Sequence, residues 1–130
     1  MQCDTMKNLL TQFPFWGEQP LLVDEANGKP ETCGLFPLGV RVRFCREDVL
    51  GNVTLGLRQS FLLRRAAYAG EGSADWLLQL QDWLLRQPTE ALSDFGRVPR
   101  LSVENGRLVS SKQPGTGIYE LNIHVDYEKE

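Results

Sequence analysis

Residues 53–87 read VTLGLRQSFLLRRAAYAGEGSADWLLQLQDWLLRQ, a strand followed by a helix, and the rest of the chain is organised around them. Val53, Leu55, Leu57, Gln59, Phe61 and Leu63 alternate with Thr54, Gly56, Arg58, Ser60, Leu62 and Arg64. That period of two belongs to a strand with one buried face, running over residues 53–67. Residues 69–72 then turn the chain. In the helix, residues 73–87, Trp76, Leu80, Trp83 and Leu84 recur on one face, which Leu77 widens. Asp75, Gln79, Asp82 and Arg86 form the polar side. Ser73 suits the N-cap, because its hydroxyl can accept a first-turn amide hydrogen. Asp75 and Arg86 complement the two ends of the dipole. Pro88 disfavours helical geometry at Gln87 and predicts the stop there. Leu78 and Leu85 point away from the main stripe. They are either an ordinary exposed pair or a contact for a second chain.

The chain has 130 residues, 42% of them hydrophobic and 24% charged, which bounds it to one globular domain. With 14 basic and 17 acidic residues, the net charge of -3 gives no global case for nucleic-acid binding. Cys3, Cys33 and Cys45 form no CxxC pair, and His124 cannot complete a zinc set with them. They are expected to be reduced thiols of a cytosolic protein. No leader pattern opens the sequence and no apolar run reaches the ~18 residues a membrane span needs. The expectation is therefore no membrane anchor and no export by the usual signal.

Outward from the central stretch, residues 4–12 place Met6, Leu9 and Leu10 at helical spacing. Pro14 ends that helix, and Phe13, Phe15 and Trp16 are expected to clamp it to the body. Residues 20–24 read as a short strand whose Pro20 suits a start or an edge. Residues 26–33, with Asn27-Gly28 and Lys29-Pro30, read as a surface loop. Residues 39–46 alternate, with Val40, Val42 and Phe44 on one side and Arg41, Arg43 and Cys45 on the other. Together with residues 53–67 they predict a long antiparallel hairpin with its tip at residues 47–52. One face is apolar and the other carries Arg41, Arg43, Arg58 and Arg64. Residues 89–97 form a loop with one helical turn at 90–94. Leu101 and Val103 alternate with polar residues. Asn105-Gly106 signals a tight turn, with residues 107–111 returning as a short strand. Residues 112–117 are a loop. In the last strand Tyr119, Leu121, Ile123, Val125 and Tyr127 alternate with polar residues. The fold class is α+β, a mainly antiparallel twisted sheet with a long hairpin and helices on one face.

Catalytic signals are weak. His124 and Asp126 share one strand face, but no motif sets a Ser or Cys nucleophile beside them, so a structural or solvated histidine is the better reading. Arg43 and Arg46 flank Cys45 and could lower its pKa, yet a passive thiol explains it as well. There is no GxSxG, P-loop or GxGxxG. Glu18, Asp24 and Glu25 lack metal-loop spacing. No catalytic, cofactor-binding or metal-binding residues are assigned. The arginine face can meet DNA phosphates, water, or acidic groups of a neighbour.

Three stretches carry a resemblance: residues 35–39 (LFPLG), 46–52 (REDVLGN) and 61–65 (FLLRR). With the Trp-rich helix and the closing residues 119–127 (YELNIHVDY), the chain resembles the small tail-completion, or tail-terminator, proteins of long-tailed phages and prophages of Firmicutes. The likeness runs over residues 9–128 as a pattern of short motifs. It implies a twisted sheet with helices on one side. It also implies a ring, usually a hexamer, that caps the tail tube and presents the head-joining surface. The implied partners are further copies of the chain, the tail-tube protein and a head-completion or neck protein, with DNA contact only as channel passage. The implied location is the virion tail, and the host cytoplasm during assembly. An acetyltransferase label attached to some relatives is not carried over, because the chain has neither an HxxxD motif nor a second histidine. The rival readings are a small acyltransferase-like enzyme using His124 and a nucleic-acid-binding or other accessory protein using the arginine face.

If the chain forms a ring, each subunit offers two different surfaces. The candidates are Val49 and Leu50, at a hairpin tip where polar residues would be expected, and the Leu78 and Leu85 stripe. Arg41, Arg43 and Arg58 would pair acidic groups or line the channel. A flexible tip with two exposed leucines is the alternative.

Overall fold

A computed structural model describes residues 2–17, 19–23, 32–68, 73–110 and 116–130. The expected turn at 69–72, the loop at 112–117 up to residue 115, most of the loop at 26–33 and the Ser73 cap side chain lie outside them. The elements run α1 (Gln2–Thr11), β1 (Leu21–Val23), β2 (Thr32–Glu47), β3 (Val53–Tyr68), α2 (Ser73–Leu85), a 3-10 turn (Thr89–Leu92), β4 (Arg97–Ser110) and β5 (Thr116–Lys129). The sheet has five strands in the order β1-β2-β3-β5-β4, antiparallel throughout except for the β1–β2 pair. This is the α+β architecture expected. β5 lies between β3 and β4, which therefore run in the same direction. The link between those two must cross a face of the sheet, and α2 is that link.

One face of the sheet is the core. Leu35, Phe61, Leu63, Leu121, Ile123, Val125 and Tyr127 are buried there against Met6, Leu9, Leu10 and Phe13 from the α1 region and Trp76, Leu77, Leu80 and Leu84 of α2. Each such aliphatic side chain contributes about 1.5–3 kcal/mol by leaving water. Phe13 and Trp16 contact Trp76, and Phe13 also meets Trp83, which ties the two helices together. Phe15, expected in that clamp, is exposed. Trp83 is only partly buried. α2 ends at Leu85, because Arg86 and Gln87 donate back to Trp83 and Leu84 in a tightened last turn.

Three irregularities correct the sequence reading. β2 begins at Thr32 and passes through Pro37. A proline argues against a strand, but Pro37 lies beyond the last pairing to β1 and beside a bulge at Leu38, where a missing N–H is tolerated. A second bulge between Val42 and Phe44 puts Phe44 opposite Gly56, on the other face from Val42. One extra residue reverses the alternation. Gly56 makes room for this: a Cβ there would lie 2.2 Å from the Phe44 ring. The third is Asn105-Gly106, which is a bulge inside β4 and not a tight turn; β4 pairs with β5 on both sides of it. Gly106 lets α2 approach, since a Cβ would meet Gln81 and Leu77.

Candidate functional site

Helix cover stops short of the hairpin end. β3 has 16 residues, about 53 Å of strand. α2 has 13, about 20 Å of helix. Phe95 packs on Phe61 and Tyr127. Toward the tip from there Val40, Val42 and Val53 are exposed. The tip itself is tied down. Asp48 accepts hydrogen bonds from the backbone N–H groups of Leu50 and Asn52 and from the Asn52 side chain. The Asp48 and Gly51 amides donate within the same turn, and Gly51 takes φ +85°, which suits glycine. The bonds from Asn52 hold the Asp48 carboxyl below its ordinary pKa. Val49 and Leu50 stand on this ordered turn with 101% and 83% of their surface open. Leu78 and Leu85 are 60% and 58% exposed on the outer side of α2. Tip and stripe are thus separate surfaces of the chain.

The opposite sheet face is polar, and tertiary register organises it. Arg58 grips Asp126 with Nε at 2.7 Å and Nη2 at 3.0 Å, and Arg43 stands 3.6 Å from the same carboxylate. The Arg58 bonds keep the Asp126 carboxyl below its usual pKa range, with Arg43 and His124 adding to the effect. Arg41 lies directly across from Arg58, and Arg100 directly across from Asp126. Of the three arginines singled out in the sequence, Arg43 and Arg58 engage Asp126 of their own chain, and Arg41 has no carboxylate partner among the described residues.

One row further, Ser60 Oγ is 2.7 Å from His124 Nδ1, and His124 Nε2 meets Glu104. Sequence reasoning found His124 but missed Ser60 and Glu104. Their only signal was a polar position on an alternating strand, and register decides which such positions meet. The three have the order of a nucleophile, base and carboxylate. Ser60, however, sits mid-strand with β2 and β5 paired on either side. Its neighbouring amides are committed to those ladders, so they are not placed to form an oxyanion hole. A cross-strand polar relay is what this geometry supports. Among the described residues no cluster of His, Cys, Asp and Glu could hold a metal ion, and no helix is long and apolar enough to cross a membrane.

The chain matches no protein-family model and no curated protein. Val98 adds one further feature: it takes φ +49° in the bulge between Arg97 and Arg100. That is a strained conformation for a β-branched residue. It leaves the valine exposed at the rim of a concavity of about 130 Å³ that Arg43, Phe44 and Arg100 also line.

Proposed function

We propose that the protein is a virion structural component, a tail terminator or tail-completion protein, which acts through subunit contacts and not through catalysis. Further copies of the chain form a ring, expected to be a hexamer, that caps the tail tube and offers the head-joining surface. The observation that supports this reading is the hairpin tip. A turn held by at least five hydrogen bonds presents Val49 and Leu50 to solvent, an ordered apolar contact that nothing among the described residues covers. A second, separate apolar surface at Leu78 and Leu85 supplies the other half of a head-to-tail contact.

Light scattering after gel filtration, with and without tail-tube protein, tests the reading. A ring, or a monomer that becomes a ring on tube ends, is expected. A chain that stays monomeric in both conditions sinks it. The Ser60–His124–Glu104 relay favours an acyl-transfer enzyme as the second reading. Labelling of Ser60 by a fluorophosphonate, lost in His124→Ala, would move the assignment there.

A further inference from the structure

Across the middle of the polar sheet face, one register row reads Arg41, Arg58, Asp126, Arg100 over β2, β3, β5 and β4. Arg43 reaches into the same row from its bulge. Four arginines therefore gather along this row with one carboxylate, which Arg58 and Arg43 engage. The nearest other acids are already engaged, Glu104 with His124 and Glu128 with Arg46. Like charges directly opposite one another destabilise a sheet, and here Arg41 faces Arg58 with no carboxylate between them. The exposed acids Asp4, Asp75, Asp82, Glu90 and Asp94 lie instead on the helix side, where Lys7 and Arg86 are the only described bases of α1, α2 and their flanking turns. The net negative charge of the chain thus hides a basic sheet face.

Two concavities flank the Arg58–Asp126 pair. One, of about 400 Å³, is lined by Arg41, Arg58, Ser60, His124 and the Leu38–Gly39 bulge, with Glu104, which meets His124, also on its wall. The other is lined by Arg43, Phe44 and Arg100 together with Asp126 and Glu128, whose carboxylates are engaged by Arg58 and Arg46. Arg41 and Arg100 stand three interstrand steps apart, about 14 Å. The carboxylates of both hollows already have partners, whereas Arg41 and Arg100 have no carboxylate partner among the described residues, and two such separated arginines fit an extended polyanion better than one small anion. Phe36 and Phe44, the aromatics of this face, are covered by Arg64 and Arg46 at 5.9 and 5.5 Å, so they offer no platform on which unpaired bases could stack.

We propose that this row is a binding surface for the phosphate backbone of double-stranded DNA, without sequence readout. The phosphates sit in the two hollows, on Arg41 at one and on Arg43 and Arg100 at the other. The Arg58–Asp126 pair between them fixes the spacing. The row lies within one subunit, so the proposal stands apart from the ring.

The test uses the full chain and a fluorescein-labelled random-sequence duplex, followed by anisotropy between 50 and 200 mM salt. Binding should be sequence-independent and fall log-linearly with salt. Arg41→Glu with Arg100→Glu should weaken it by at least about tenfold and flatten the salt slope by about two, with an unchanged melt. Arg86→Glu, on the helix side, should leave binding as it is. Val49→Ser with Leu50→Ser should retain the salt-sensitive binding even where rings are lost, which separates this proposal from the assembly reading. No binding at 50 mM salt, or equal binding by the Arg41/Arg100 double variant, overturns the proposal. Equal competition by inorganic phosphate would reassign the row to a small-anion site. Equal competition by polyglutamate would reassign it to an acidic protein partner. Either result also overturns the proposal.

Discussion

Asp126 shows how much one side chain carries. Its carboxylate is mostly enclosed, and it accepts both bonds of the Arg58 fork. Asp126→Asn should destabilise the domain by about 1–2 kcal/mol, less than a fully buried pair would cost because Arg58 remains part-solvated. The sign of the pH effect follows from the lowered carboxyl pKa. The contribution is complete above the unfolded value near 4 and is lost as pH falls through the folded one. In thermal melts the gap between the native protein and Asp126→Asn should therefore narrow as pH falls below about 4. A gap that does not narrow in acid would show that the pair acts otherwise. The cysteines give a second residue-level test. Cys33 is buried and its thiol is pushed up to about 12 by desolvation, whereas Cys45 is exposed. A thiol reagent at pH 8 should modify Cys45 promptly and leave Cys33 untouched. In denaturant all three thiols should react, and any smaller number, restored by reductant, would reveal a disulfide.

At the scale of elements, the two faces of α2 differ in burial. Leu80 is fully buried against the sheet, so Leu80→Ala should cost about 2–5 kcal/mol. Trp83 is only partly buried, and truncating it should cost less than the ~3–5 kcal/mol of a fully enclosed aromatic. Leu78→Ser with Leu85→Ser should leave the melting temperature within the ordinary range for surface changes, about ±0.5 kcal/mol. If that pair lowers the melt as far as Leu80→Ala does in the isolated subunit, the outer stripe is core and not contact surface. The strands teach the same lesson through their bulges. At Leu38, Arg43 and Asn105-Gly106 an extra residue re-aims everything after it.

At the scale of the whole molecule, a sheet with four long strands outruns the helices that cover it. The uncovered end is where Val40, Val42, Val49, Leu50 and Val53 collect. Few core contacts lie at the tip, so Val49→Ser with Leu50→Ser should preserve the monomer's melt. The same change should abolish ring formation and, in an infected or induced host, yield tails of uncontrolled length without heads. Normal rings and headed phage from this double variant would remove the hairpin from the interface.

Periodicity alone determined the α+β class, the hairpin with its tip at residues 47–52, the α2 core face and the alternation of β5, because burial on one side of a helix or strand imposes a repeat that local sequence must carry. The same argument marked Leu78, Leu85, Val49 and Leu50 as apolar residues off any core face. Tertiary structure alone decided which polar positions meet. Ser60 with His124, Arg58 with Asp126 and Arg41 against Arg58 depend on strand order and register. β5 inserts between β3 and β4 out of chain order. The bulges at Leu38, Arg43 and Asn105-Gly106 each shift the count by one residue. A period of two gives the face of a side chain but carries no information about which residue stands across from it.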